Sequence, residues 1–103
     1  MIEFVVKSDS DRGAVHCPRV RCDECGLTID DANWGNVYYD PNRADGGAPA
    51  IFLHKPCSRS FEERRKDVFW SWEEMSVWFV QLASNARLDR KRSEARARRL
   101  ESL

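Results

Sequence analysis

Cys22 and Cys25 stand three positions apart, and His54 and Cys57 repeat that spacing after 28 intervening residues. Thiolate and imidazole are the side chains that bind borderline-soft metal ions, and structural zinc takes four of them in a tetrahedron. A tight turn between two ligands lets both reach one ion, so two such turns complete a shell. The pairing Cys22-Asp-Glu-Cys25 with His54-Lys-Pro-Cys57 therefore predicts one structural Zn2+ per chain, held by three thiolates and one imidazole. A thioredoxin-like redox role fits less well, because no βαβ pattern surrounds the CxxC.

Two neighbours complicate the count. His16 and Cys17 are also potential ligands, and either can substitute for one of the four. Equal spacing favours the symmetric set. Cys17 then reads as a small buried hydrophobe in a strand, with His16 pointing the opposite way. Four good ligands imply a closed site, whereas a catalytic zinc keeps one position open. Cys57 beside His54 resembles a nucleophile and its base, but metal ligation explains that spacing more simply. No phosphate loop, zincin helix or serine-hydrolase elbow occurs, so no catalytic activity is expected.

Around these ligands lies a chain of 103 residues, enough for one small domain whose modest core a metal would support. Four Trp, two Tyr and five Phe argue against disorder. No apolar run is long enough to span a bilayer. The start, Met-Ile-Glu-Phe-Val-Val-Lys, lacks the pattern of a signal peptide. The expected location is cytoplasmic, in a reducing compartment where cysteines serve as metal ligands rather than in disulfides. Zero net charge hides an asymmetry: residues 87–103 carry seven bases and three acids, and residues 1–86 carry ten bases and fourteen acids. The body is mildly acidic and the tail basic.

The elements that must position the ligands follow from local pattern. Residues 2–7 and 14–21 read as two strands of an N-terminal β-hairpin, with a turn at 8–13 and Pro18 at an edge. Gly26 suits a knuckle position that a Cβ would strain. Val37–Tyr39 and Ile51–Leu53 form a second hairpin with a long mobile loop, Asp40 to Ala50. Pro56 marks the first turn of a helix through Lys66, which would place Cys57 near the positive end of the helix dipole. Ser71-Trp-Glu-Glu74 reads as a capping box, so a long last helix is expected from Trp72. Trp72, Met75, Phe79, Leu82, Ala83 and Ala86 fall on one face of it. Trp70, Trp72 and Trp78 would pack that helix onto the zinc unit, and Trp34 lies in a turn.

Knuckle, hairpin, then a helix bearing the second ligand pair: that order over residues 22–66 resembles the treble-clef or zinc-ribbon-like class of zinc fingers. The resemblance implies an α+β fold in which Cys22 and Cys25 are the knuckle ligands and His54 and Cys57 the pair at the hairpin-to-helix junction. Such units serve nucleic-acid binding, protein interaction and some enzymes, so the class assigns no activity.

The expected organisation is a zinc-binding domain over residues 1–86, with the zinc unit at about 22–66 and the packed helix from 72, followed by a basic helical tail over 87–103. The leading functional expectation is a non-catalytic interaction module, a small adaptor or regulator with a protein partner. The alternative is a nucleic-acid-binding protein. It would use Arg87, Arg90, Lys91, Arg92, Arg96, Arg98 and Arg99, together with Arg19, Arg21, Arg43 and Arg59. A weak seam of Ala86, Ser93, Ala97 and Leu100 would also allow a homodimer through the tail helix. No membrane partner is expected.

Overall fold

The computed structural model describes residues 1–6, 16–43 and 47–101 of the chain. The fold is α+β, measuring 49 × 30 × 25 Å. Strands β1 (Ile2–Val6) and β2 (His16–Val20) pair antiparallel as a two-stranded sheet, with Ile2 opposite Val20 and Phe4 opposite Pro18. The turn expected at 8–13 lies outside the described residues.

A second sheet has the order β4-β3-β5, with β3 (Gly35–Tyr39) between β4 (Ile51–His54) and β5 (Ser71–Glu74). A 3-10 turn, Ala32–Trp34, delivers the chain into β3, and the Asp31 side chain caps it by accepting from the Asn33 amide at 2.9 Å. The expected β3–β4 hairpin is present. Its connection includes residues 44–46, so mobility of that loop lies outside the described residues.

Helices cover both faces of this sheet. Alternation along β3 sends Tyr38 towards α1 (Lys55–Arg64), where its ring meets Phe61 edge-on at 5.8 Å. Val37 and its neighbour Phe52 face the other way, and Phe52 meets Trp78 of α2 (Met75–Asn85) at 5.1 Å. Two covered faces explain why Gly35 through Tyr38 are buried without a break. The core is Cys22, Ile29, Val37, Tyr38, Phe52, Leu53, Phe61 and Met75.

Three expectations about the C-terminal half change. Ser71–Glu74 is strand β5, not the start of a helix, which begins at Met75. The capping box is a local preference worth about 1 kcal/mol. Pairing Ser71–Glu74 with β3 satisfies backbone groups that would otherwise be buried unpaired between two helices. It also stacks Trp72 on Tyr38 at 6.1 Å.

The expected apolar stripe consequently contracts. Met75 is buried and Phe79 half-buried, but Trp72 lies on the strand and Leu82 is 46% exposed. Trp78, packed on Phe52 and Phe79, takes up the face that Leu82 was expected to share.

The long last helix is two helices, α2 and α3 (Arg90–Glu101). Arg87 adopts φ 54°, and the Leu88 and Arg87 amides donate to the carbonyls of Ala83 and Ser84 at 2.9 and 3.2 Å. That pair of bonds is a Schellman stop with arginine in the left-handed position that glycine usually fills. Asp89 then caps α3, its carboxylate accepting from the Arg92 amide at 3.2 Å.

Candidate metal centre

The first ligand pair sits on a knuckle built by backbone bonds. The Cys22 amide donates to the Leu27 carbonyl at 2.8 Å, and the Gly26 amide donates back to the Cys22 carbonyl at 3.0 Å. Gly26 has φ 78°, the left-handed conformation expected of it. Asp23 fastens this knuckle to β4 twice. Its amide donates to the Phe52 carbonyl at 2.7 Å, and its carboxylate accepts from the Phe52 amide at 2.8 Å.

The second pair sits where β4 becomes α1. His54 is the last strand residue and the N-cap, with extended backbone at ψ 144°. Cys57 follows in the first helical turn, behind Pro56. The Ser58 hydroxyl ties this turn down: it donates to the His54 carbonyl at 3.3 Å and accepts from the buried Asn36 amide group at 3.2 Å. On the outside, Arg64 of α1 pairs with Glu24 of the knuckle.

These elements bring all four predicted ligands together. The sulfurs of Cys22, Cys25 and Cys57 and a ring nitrogen of His54 all lie within 4.8 Å of one another, so they can hold one metal ion. His54 Nδ1 faces the Cys25 sulfur at 3.3 Å, and Nε2 lies 3.1 Å from the Thr28 carbonyl. A carbonyl only accepts, so Nε2 carries a proton and Nδ1 is the ring nitrogen placed to meet a metal beside the sulfurs.

The thiols differ in how readily they ionise. Burial pushes the Cys22 thiol up, but amides of Cys25, His54 and Glu24 donate to its sulfur and outweigh burial, bringing it down to about 7. Burial pushes Cys57 the other way, to about 12, with the negative charge of Cys22 and hydrogen bonds to Cys22 and Cys25 adding to it. The helix dipole expected to favour the Cys57 thiolate is thus overcome while no cation is present. Three thiols crowded beside one imidazole are a poor place for three negative charges and a good place for a divalent cation.

Cys17 is buried in β2 and His16 is exposed, the opposed pointing that strand alternation requires, and neither belongs to the four-residue group. Asp23, Thr28, Asn36 and Ser58 also shape the site, and the last three do so without any sequence signal of their own. Only Asp23 had a hint, since short acidic residues inside a turn commonly bond backbone amides. The seven tail bases lie away from this centre: Arg87 in the turn between α2 and α3, and the other six on α3. No helix among the described residues is long and apolar enough to cross a membrane. The sequence matches no protein-family model and no curated protein, and the fold matches no solved structure.

Proposed function

We propose that the chain is a non-catalytic zinc-binding interaction module of treble-clef type, an adaptor or small regulator. The observation that carries this reading is the convergence of Cys22, Cys25, His54 and Cys57 from a knuckle and a strand-to-helix junction. In a tetrahedral zinc–thiolate site, sulfurs about 2.3 Å from the ion lie about 3.8 Å apart. The 4.8 Å envelope needs only slight closure to reach that. Three thiolates and one imidazole fill the tetrahedron, which supports a structural ion with no position for substrate.

The surface supports the interaction role. Phe4 and Phe69 are 71% and 82% exposed, and Trp34 and Trp72 are also largely open to solvent. Aromatic side chains presented on a rigid frame are typical anchors for a protein partner.

X-ray absorption at the zinc edge of purified protein tests the proposal. A shell of three sulfurs and one nitrogen, at one zinc per chain, is expected. A coordinated water or an exchangeable oxygen ligand would overturn the closed, non-catalytic reading, and absence of stoichiometric metal would overturn the whole.

A further inference from the structure

Helix α3 distributes its charges unevenly. At 3.6 residues per turn, Lys91, Arg92, Arg96 and Arg99 fall within an arc of about 140°. Glu94 falls on the other side. There Glu94 pairs with Arg98 at 3.7 Å. All four bases of the arc are exposed, and none has an ion-pair partner among the described residues.

The rest of the fold treats bases differently. Arg21 meets Glu3, Lys55 meets Glu74, Arg59 meets Glu63, Arg64 meets Glu24 and Arg65 meets Asp67. Residues 87–103 hold seven bases and only three acids, so the excess positive charge is concentrated on this segment.

The placement also works against the helix. The first turn of α3 holds Arg90, Lys91 and Arg92 and no acid. Positive charge there opposes the helix dipole and costs about 0.3–1 kcal/mol per residue. The Asp89 carboxylate at the N-cap offsets part of that cost, and the three bases still leave this end net positive.

We propose that the Lys91, Arg92, Arg96 and Arg99 face of α3 binds the phosphate backbone of a nucleic acid duplex, without sequence preference. Arg92, Arg96 and Arg99 follow a four-then-three spacing, which lines up three guanidinium groups over about 10 Å of helix. Guanidinium forks match phosphate oxygens two at a time. Bases spread over an arc of about 140° suit a curved line of phosphates better than the floor of one groove, so the contacts position rather than specify. A membrane surface fits less well, because Ser93, Ala97 and Leu100 are too small an apolar face to insert between lipids. This face is separate from the metal centre, and its role stands independently of the ion.

Fluorescence anisotropy with the full metal-loaded chain and a labelled 25-base-pair duplex of arbitrary sequence tests this. Log Kd plotted against log salt should have a slope of about 3–4, one unit per neutralised phosphate. Arg92→Gln/Arg96→Gln/Arg99→Gln keeps good helix formers and should lower affinity at least about tenfold and flatten the slope to about 1. Arg90→Gln/Arg98→Gln, on the acid-bearing side, should change affinity less than about threefold. Circular dichroism and metal content, unchanged in both variants, would separate a failure of this contact from a failure of the metal-stabilised fold. No duplex binding at low salt, equal losses in both variants, or equal binding to poly-glutamate or phosphatidylserine vesicles would each overturn the proposal.

Discussion

Gly35 and Met75 are in contact so close that a Cβ on the glycine would lie 2.7 Å from the Met75 sulfur and 3.2 Å from its Cβ. Gly35 has φ −120° and ψ 151°, a conformation alanine adopts freely, so the obstacle is steric alone. Gly35→Ala should therefore destabilise by about 1–3 kcal/mol, the usual cost of overpacking, against about 0.4–1 kcal/mol gained from a stiffer unfolded chain. Urea denaturation of Gly35→Ala, Met75→Ala and the double variant decides the point. Simple additivity would mean that the contact is not what limits the site.

Removing the metal should loosen one half of the molecule more than the other. The knuckle meets β4 through the Asp23–Phe52 bonds and α1 through the Arg64–Glu24 pair, and the four candidate ligands lie between them. Cys25→Ser, or a strong chelator, should expose amides of residues 22–64 to hydrogen exchange and lower the melting temperature by many degrees, because metal-binding energy is folding energy. Helix α2 should retain part of its protection through Met75 and Trp78. Identical exchange with and without metal would refute the coupling.

Metal uptake should release protons, and the sign follows from the two shifted thiols. Cys57, held at about 12, keeps its proton throughout the neutral range until the cation displaces it. Cys22, at about 7, is largely ionised at pH 8 and contributes little there, but must also lose a proton below pH 7. Affinity should fall as pH falls, by about tenfold per unit for each proton displaced, and more steeply below pH 7. Competition with a chromophoric chelator between pH 6 and 8 measures this. A flat profile would contradict the thiol assignments.

Arg87→Gly should stabilise the protein. Left-handed backbone costs a non-glycine residue about 1–2 kcal/mol, and the added freedom of glycine in the unfolded chain returns about 0.5–1 kcal/mol of that. A net gain of up to about 1 kcal/mol by thermal denaturation is expected, while Arg87→Val should be worse than the natural residue. Loss of stability in the glycine variant would show that the Arg87 side chain has a structural role.

Truncation after Leu88 keeps the Schellman stop and removes α3. Every described α3 side chain except Ser93 is exposed, so metal content should hold and stability should change by less than about 1 kcal/mol. Unfolding of the truncated chain would place α3 inside the domain.

What the sequence discloses here depends on how local each cause is. The four candidate ligands, Gly26 and the alternation of His16 with Cys17 are local patterns, and all are found where the spacing puts them. Ser71–Glu74 is different. Its capping box is a genuine helix signal, but the open edge of β3, some 35 residues away in the chain, outweighs it. No pattern within the segment announces that edge. The break at Arg87 is hidden for a related reason: the stop uses arginine where glycine would have revealed it. Only Asp89, a good N-cap just after, marks the new start.

With an ion bound at the four-residue cluster, the double tie between Asp23 and Phe52 would give that ion a part in proofreading the chain during folding. Both faces of this sheet are covered, so burial alone penalises a one-residue slip of β3 against β4 less than it would in a one-sided sheet. Such a slip would turn His54 to the opposite face and carry Phe52 away from Asp23. Only one alignment brings the imidazole within reach of the three sulfurs. A cation that binds only there would draw misaligned chains towards the correct one, so metal supply during folding would set the yield of correctly paired protein as well as its final stability.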